Sequence, residues 1–152
     1  MFLLERGDRV AVKGVTVLEY PIEKVIAFFN KRNVTQLINE TVVRYDYLHT
    51  DELTNSHIVH MEMRTPWPID NRDFVLLTTS HKEGPDRYFV AYQSVDYDQP
   101  IHDGIVRGFY YPGAYILERL SPNKTRVTVV TDTDLCGSIP HAVVGFMAGR
   151  QG

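Results

Sequence analysis

Alternation of hydrophobic and polar residues, which is typical of half-buried β-strands, runs through most of this chain. In the segment 57–64 it places Val59, Met61 and Met63 on one face of a strand and polar side chains on the other. From residue 42 onward the pattern stays strand-like. Further strands are predicted at residues 10–20, 74–80, 88–95, 109–120 and 125–135. Because short turns rather than crossover helices separate them, we expect an antiparallel meander.

Two short helices are predicted before the strand-rich part of the chain. Pro21 suits a first helical turn, and apolar residues follow it at helical spacing, namely Ile22, Val25, Ile26 and Phe29. Residues 35–43 are expected to form the second helix. Both helices are short, so strands dominate the predicted structure.

The end of the chain predicts a helix of another kind. Ser138 can cap it, and residues 141–150 are apolar on nearly every side, which is typical of an enclosed helix. The predicted fold is therefore α+β, with a curved antiparallel sheet wrapped around a C-terminal helix. We expect the whole chain, residues 1–152, to form one domain.

The composition agrees with a globular domain that builds a sizeable core, since 43% of the 152 residues are hydrophobic. A formal net charge of -3 and the lack of a basic stripe argue against a nucleic-acid partner. Cys136 is the only cysteine, so no intramolecular disulfide is possible, and the expected location is cytoplasmic. No apolar run is long enough to span a bilayer.

Residues suited to catalysis or metal binding are scattered along the chain. Among six histidines, His57 and His60 would pair on a helix, but on a strand their odd separation sends them to opposite faces. The spacing of Cys136 and His141 leaves a nucleophile–base pair open, yet a small cysteine in a turn is much more often inert. Phosphate-binding glycine loops and nucleophile elbows are absent from the sequence. We therefore expect no enzyme, no cofactor and no metal site.

The segment 66–75, with the sequence PWPIDNRDFV, predicts a fixed bend between two strands. Prolines on both sides of Trp67 restrict the backbone there. Arg72 and Asp73 are neighbours, so on a strand their side chains point apart and each needs its own partner. We expect both to anchor the turn through hydrogen bonds rather than to contact a ligand.

This segment, together with GIVR at 104–107 and DLCGSIP at 134–140, resembles the START family in order and spacing. The resemblance implies a helix-grip fold of the Bet v 1-like superfamily, with a tunnel between the sheet and the final helix. It also implies that one lipid molecule is held in this tunnel, away from water. Family domains usually extend further at both ends, so the resemblance implies a minimal or a truncated domain.

Alternation along the strands and the apolar positions of the final helix nominate residues that face the predicted cavity. These residues are Met61, Met63, Leu76, Thr78, Tyr92, Tyr115, Val129, Thr131, Val143, Phe146 and Met147. The motif alignment adds Arg107, which if buried would need an acidic partner such as Asp103, Asp96 or Glu62. For each residue taken singly, core packing or a surface position is at least as good an explanation, so the prediction concerns the set.

The chemistry of the ligand follows from the same strand face. Thr78 stands where sterol and phosphatidylcholine carriers of the family hold a basic residue. A hydroxyl bonds a polar head group but cannot neutralise a phosphate, which favours a weakly polar or neutral lipid.

We therefore expect a protein that binds a lipid, be it a sterol, a phospholipid or another apolar ligand, and that contacts membranes transiently for lipid transfer or presentation. A second hypothesis is a lipid-sensing regulatory domain of a larger protein. A third, which the residues support less, is an enzyme of the cyclase or hydrolase type working in the same kind of cavity.

Overall fold

The structure is a computed structural model that describes residues 2–6 and 9–140. Within these residues the helices are α1 (Ile22–Phe29) and α2 (Val34–Ile38). The strands are β1 (Phe2–Arg6), β2 (Arg9–Leu18), β3 (Val42–Asp51), β4 (Ser56–Met63), β5 (Asn71–Glu83), β6 (Arg87–Ser94), β7 (Ile105–Arg107), β8 (Phe109–Ser121) and β9 (Lys124–Asp134).

All strands but β7 form one continuous curved sheet in the order β1-β2-β9-β8-β6-β5-β4-β3. Every neighbouring pair in this path is antiparallel. β2 pairs with β9 along its whole length, from Arg9 opposite Asp134 to Leu18 opposite Thr125, so early and late parts of the chain are neighbours in the sheet. None of the helices in the described part of the chain could cross a membrane.

The predicted strands and the first helix are confirmed, with bounds that shift by a few residues. Helix α2 is shorter than the predicted 35–43, because Asn39 is extended at φ -129° and Val42 already begins β3. The closing helix predicted at 141–150 lies outside the described residues.

The expected antiparallel meander is confirmed, because the strands predicted from residue 57 onward pair with one another in chain order, as β4, β5, β6, β8 and β9. The structure adds one strand that was not predicted. β7 leaves the main path and pairs in parallel with the start of β5. It spans only Ile105–Arg107, which is too short for alternation to predict.

The hydrophobic core lies on one face of the sheet, called the inner face here, and has two parts. The larger part consists of Val10, Val12, Val42, Val59, Met61, Met63, Phe74, Leu76, Tyr110, Leu135 and Ile139. The smaller part consists of Ile22, Val25, Tyr88, Leu117 and Val127. Burial of each such aliphatic side chain stabilises the fold by about 1.5–3 kcal/mol.

Helix α1 packs across the smaller part of this core. Its buried side consists of Ile22 and Val25. The Tyr88 hydroxyl donates to Asn30 Oδ1 at 2.8 Å and so ties the C-terminal end of the helix to β6. The Phe29 ring contacts the Tyr115 ring of β8, with ring centroids 5.0 Å apart. The helix is therefore held along one side and at its end.

Leu117 of β8 is fully buried beneath α1, and its replacement tests this packing. We expect Leu117→Ala to lower the free energy of unfolding by about 2–5 kcal/mol, through lost contacts and a residual cavity. Leu120 on the same strand is 46% exposed, so Leu120→Ala should change it by less than about 0.5 kcal/mol. Urea denaturation measures both variants, and equal losses would contradict the burial described.

Candidate functional site

Two adjoining pockets lie between the inner face of the sheet and the helices. The inner pocket, about 100 Å³ in volume, is lined by Val12, Phe29, Val34, Thr35, Ile38, Asn39, Val42, Tyr45, Met61, Leu76, Thr78, Tyr92, Tyr110, Tyr115, Val129 and Thr131. The outer pocket, about 610 Å³ in volume, is lined by Gly14, Val15, Thr16, Leu18, Tyr20, Lys24, Val25, Phe28, Phe29, Ile38, Tyr115, Val127 and Val129. Phe29, Ile38, Tyr115 and Val129 line both, so the two pockets meet at these side chains.

Strand register brings most of the predicted site residues together in the inner pocket. The ones that line it are Met61, Leu76, Thr78, Tyr92, Tyr115, Val129 and Thr131. Thr78 lies opposite Tyr92 in the β5–β6 ladder, and Tyr115 lies opposite Val129 in the β8–β9 ladder. Residues directly opposite each other share a face, which is why alternation along separate strands converged on one pocket.

Helix α2 forms part of the wall of the inner pocket, and none of its residues was predicted to line a cavity. Val34, Thr35, Ile38 and Asn39 line the inner pocket, although no residue of α2 is buried in the core. Tyr45 of β3 also lines the inner pocket and was not predicted, although the alternation along its strand could have indicated it. The position of α2 carried no such signal, because a helix this short has no wide apolar face.

Two of the predicted site residues lie elsewhere. Met63 is 2% exposed in the larger part of the core, where the Tyr110 hydroxyl lies 3.8 Å from its Sδ. Arg107 pairs with Asp73, which was not among the three acidic partners considered. Asp73 is the residue opposite Arg107 in the parallel β5–β7 pairing. The predicted residues Val143, Phe146 and Met147 lie outside the described residues.

The polar groups of the largely apolar inner pocket include tyrosine phenols that stay neutral. Burial raises the pKa of Tyr45 to about 12, against a smaller opposing effect of its hydrogen bond with Thr35. Burial also raises the pKa values of Tyr92 and Tyr115. No charged side chain occurs among the described residues that line this pocket. The pocket therefore offers hydroxyl groups and hydrocarbon without formal charge.

The hydroxyl groups that line the inner pocket differ in their hydrogen bonds. Tyr92 donates to the Val130 carbonyl oxygen at 3.2 Å. Within the described part of the chain, by contrast, the hydroxyls of Tyr115 and Thr78 have no hydrogen-bond partner. A hydroxyl both donates and accepts, so these groups can bond a hydroxyl or carbonyl group of a bound molecule.

A buried polar network lies on the opposite face of the sheet. His60 Nε2 lies 2.8 Å from Asp73 Oδ2. Arg107 donates to both Asp73 oxygens, at 2.7 and 3.0 Å, and to the Gln99 carbonyl oxygen at 3.2 Å. The sequence placed His60 on a polar face, and the structure shows it only 2% exposed there. The network therefore attaches β7 and the loop before it to the sheet.

The charge of Asp73 depends on this network. Burial has the largest single effect and raises the pKa of Asp73, but the hydrogen bonds from Arg107 and His60 together outweigh it, so the pKa lies below the ordinary value of a carboxyl. The carboxylate is therefore the stable form here over the neutral pH range.

Arg72 anchors the inner face, as its position next to Asp73 predicted. Its Nε donates to the Leu135 carbonyl oxygen at 2.6 Å, and its Nη2 donates to that of Cys136 at 2.9 Å. Its Nη1 donates to the Asp70 carbonyl oxygen at 2.5 Å. The prediction is confirmed for Arg72, which ties the turn before β5 to the end of β9. It is wrong for Asp73, whose carboxylate bonds His60 and Arg107 rather than the turn.

Among the described residues, no three histidine, cysteine, aspartate or glutamate side chains are grouped so that they could hold a metal ion. His57 Nδ1 lies 3.0 Å from the Thr50 hydroxyl, whereas His60 bonds Asp73. The two histidines that stand close in sequence therefore have separate partners.

Replacing Asp73 with asparagine tests the buried network. At neutral pH we expect Asp73→Asn to lower the free energy of unfolding by about 3 kcal/mol, since the positive charge of Arg107 loses its partner. The stabilisation by a carboxylate of lowered pKa is complete above the unfolded pKa of about 3.9 and is lost as the pH falls through the folded pKa. The difference between the two proteins should therefore shrink below about pH 4.

Urea denaturation across this pH range measures the difference. Asp70→Asn is the matched control, because the side chain of Asp70 is exposed. The role of the network would be refuted by a constant difference at every pH, or by an equal loss in the control.

Comparison with solved structures finds related folds. Human StAR-related lipid transfer protein 5 has a TM-score of 0.81 and 23% identity, over 93% of this chain and 69% of that one. The lipid transfer and protein localization domain of human StarD13 has a TM-score of 0.76 and 22% identity, over 95% of this chain and 75% of that one. A STAR-related lipid transfer protein from Xanthomonas axonopodis has a TM-score of 0.73 and 22% identity, over 90% of this chain and 76% of that one.

At these identities the likeness shows a shared fold. Comparison with curated protein sequences found no match. The family model described as "START domain", however, matches residues 15–150 and thus covers most of the chain. Both pockets and the buried network lie within the matched residues, apart from Val12 and Gly14 at the pocket edges. This chain belongs to the START domain family.

Proposed function

We propose that this domain binds one hydrophobic lipid molecule in the two adjoining pockets and carries or presents it between membranes. The observation that carries the proposal is the junction of the pockets at Phe29, Ile38, Tyr115 and Val129. Because the same four side chains line both pockets, we infer that the inner pocket with its hydroxyl groups and the larger apolar outer pocket serve as one site. An elongated lipid has the same division between a small polar end and a long apolar body.

Apolar burial supplies enough free energy for such a complex. Covering some 400 Å² of ligand surface, at about 25 cal/mol per Å², favours binding by roughly 10 kcal/mol before the entropic costs of association. A lipid is poorly soluble in water, so the net affinity suffices for a carrier. The expected enclosure of the ligand by the closing helix concerns residues outside the described part of the chain.

The polar end of the ligand is best matched by an uncharged group. Among the described residues, Tyr115 and Thr78 offer hydroxyls without a hydrogen-bond partner, and burial keeps the tyrosine neutral. A phosphate would require a cation, and the described lining of the inner pocket has none. Lys24 lines the outer pocket but is exposed to solvent. A neutral or weakly polar lipid suits this lining better than a phospholipid.

Binding rather than catalysis suits these side chains. An enzyme in this pocket would need a group that exchanges protons near neutral pH, and buried phenols of raised pKa do so poorly. We therefore propose a non-enzymatic carrier that contacts membranes transiently, with the cytoplasm as its expected location. The same site would serve a lipid-sensing domain, for which the lipid-binding step is identical.

Native mass spectrometry of the purified protein, followed by extraction and identification of what co-purifies, tests the proposal directly. A neutral lipid at one molecule per chain is the expected result. A protein that carries no lipid, and takes none up from vesicles of mixed neutral lipids and phosphatidylcholine, would refute it. Turnover of an added ester would instead indicate an enzyme.

Val129 lies at the junction of the two pockets, so filling that point should block the site. We expect Val129→Phe to weaken binding of a fluorescent sterol analogue at least roughly ten-fold, since the added ring occupies the space of the ligand. Val130 is the next residue on the strand, points to the other face and is 38% exposed. Val130→Phe should bind as the unmodified protein does.

Thermal unfolding of both variants shows whether either ring disturbs the fold. Weakened binding by Val129→Phe with an unchanged melting temperature supports the assigned site. If Val129→Phe stays folded and binds the analogue with unchanged affinity, the ligand does not occupy the junction and the proposed site is wrong.

A further inference from the structure

Arg32, in the segment between α1 and α2, lies on β3, the edge strand of the sheet. Its guanidinium lies over the Tyr47 ring, with Cζ 4.4 Å from the ring centroid. Arg32 is exposed, and it forms neither a hydrogen bond nor an ion pair with another described residue. Contact with a ring face positions a guanidinium but leaves its N–H groups unbonded, so Arg32 keeps its donors for an anion.

A second side chain that can carry positive charge contacts the same ring. The His57 ring of β4 stands edge-on to that of Tyr47, with centroids 4.9 Å apart. Its Nδ1 lies 3.0 Å from the Thr50 hydroxyl, which leaves Nε2 as the other ring nitrogen. No described residue bonds this nitrogen or the Tyr47 hydroxyl. Arg32, Tyr47 and His57 are called the Tyr47 cluster here.

The charges of the Tyr47 cluster are unbalanced. Burial lowers the pKa of His57 most, and the positive charge of Arg32 lowers it further. His57 faces Tyr47 and Thr50 of β3, Thr78 of β5 and Arg32, and none of these side chains is a carboxylate. Like charges so close together disfavour the protonated imidazole, and an anion beside both would relieve this repulsion.

The missing carboxylate distinguishes Arg32 from most arginines in the described chain. Arg126 pairs with Glu118 at 3.0 Å, and Arg107 pairs with Asp73 at 2.7 Å. The whole sequence has 19 acidic residues against 16 lysines and arginines, so carboxylates are not scarce. Two neighbouring basic groups left without one in an acidic protein indicate a site for an external anion.

The Tyr47 cluster lies beside the inner pocket but outside it. His57 is directly opposite Thr78 in the β4–β5 ladder, and Thr78 lines the pocket. The Tyr47 ring contacts that of Tyr45, another lining residue, with centroids 5.8 Å apart. None of the three residues of the cluster lines either pocket. The cluster is therefore separate from the proposed lipid site.

We propose that Arg32, Tyr47 and His57 form a binding site for the phosphate group of a phosphate monoester. The Arg32 guanidinium binds two phosphate oxygens, while protonated His57 and the Tyr47 hydroxyl donate to the others. A monoester carries a charge of about −1.5 to −2 at pH 7, which neutralises both basic side chains. This site goes beyond the proposed function and needs no lipid in the pockets.

His57 reports binding directly, because an anion beside an imidazole favours its protonated form. With inorganic phosphate we expect the NMR signals of the His57 ring to shift to a saturated end point and the pKa of His57 to rise. Sodium chloride at matched ionic strength measures plain screening of Arg32. Shifts that never saturate, or that chloride reproduces, would overturn the site.

Two neighbouring cations provide matched variants. Arg32→Gln should weaken phosphate binding at least roughly ten-fold, since it removes the guanidinium. Lys31 lies over the Phe28 ring instead, with Nζ 5.4 Å from the centroid, and Lys31→Gln should change binding less than about two-fold. Both residues are exposed, so neither variant should lower the melting temperature. Equal losses of binding would indicate attraction to general positive charge and refute the site.

The pH dependence tests the part played by His57. Sulfate keeps both of its charges over the range in which histidine titrates, so only the protein changes protonation. Since the bound anion favours protonated His57, sulfate affinity should be highest below the pKa of His57 and fall as the pH rises through it. His57→Gln should bind sulfate more weakly at low pH and without this dependence. Identical pH profiles of the two proteins would remove His57 from the site.

Vesicles identify the source of the phosphate, since a soluble monoester and the head group of phosphatidic acid share this chemistry. Co-sedimentation that requires both phosphatidic acid in phosphatidylcholine vesicles and Arg32 would assign the site to the head group. Binding of inorganic phosphate without such sedimentation would assign it to a soluble molecule.

A separate readout distinguishes this site from the proposed function. Arg32→Gln should still bind the fluorescent sterol analogue, because Arg32 lines neither pocket. If neither the unmodified protein nor this variant binds the analogue while phosphate still shifts the His57 signals of the unmodified protein, the proposed function fails and the phosphate site stands.

Discussion

The fold depends on two adjacent residues, Arg72 and Asp73, because each of them holds a separate segment of the chain against the sheet. A strand turns neighbouring side chains to opposite faces, so each of them anchors a different side of the sheet. On the inner face Arg72 bonds the chain just after β9, at Leu135 and Cys136. On the other face Asp73 holds Arg107 and with it β7. Arg72 thereby ties the turn before β5 to the end of β9, and Asp73 ties β7 to the sheet.

The dimensions of the described elements explain why α1 and α2 do not fill the inner face. Eight paired strands at about 4.8 Å spacing give a sheet some 34 Å wide. Helix α1 has 8 residues and α2 has 5, which makes them only about 12 and 8 Å long. They cover part of the face and leave pockets between them. Because Tyr45, Tyr92 and Tyr115 stay neutral there, the space suits an apolar guest with an uncharged polar group.

Hydrogen bonds connect the wall of the inner pocket to the turn between β4 and β5. Arg64 N–H donates to the Thr41 carbonyl oxygen, and Thr41 N–H donates to the Oδ1 of Asn39, which lines the pocket. The base of the turn is held as well, because Thr65 N–H donates to Asn71 Oδ1. The turn and the pocket wall are therefore parts of one hydrogen-bonded region.

The sequence periodicity alone determined which segments are strands and which side chains share the inner face. Successive side chains of a strand point to opposite faces wherever the strand lies in the fold. Seven pocket residues, Tyr92 and Val129 among them, followed from it. Tertiary structure alone decided the partner of Arg107, the burial of His60 and the place of α2. The physical reason is that β7 and α2 are too short to carry a periodic signal, so their positions depend on pairing and packing between segments far apart in sequence.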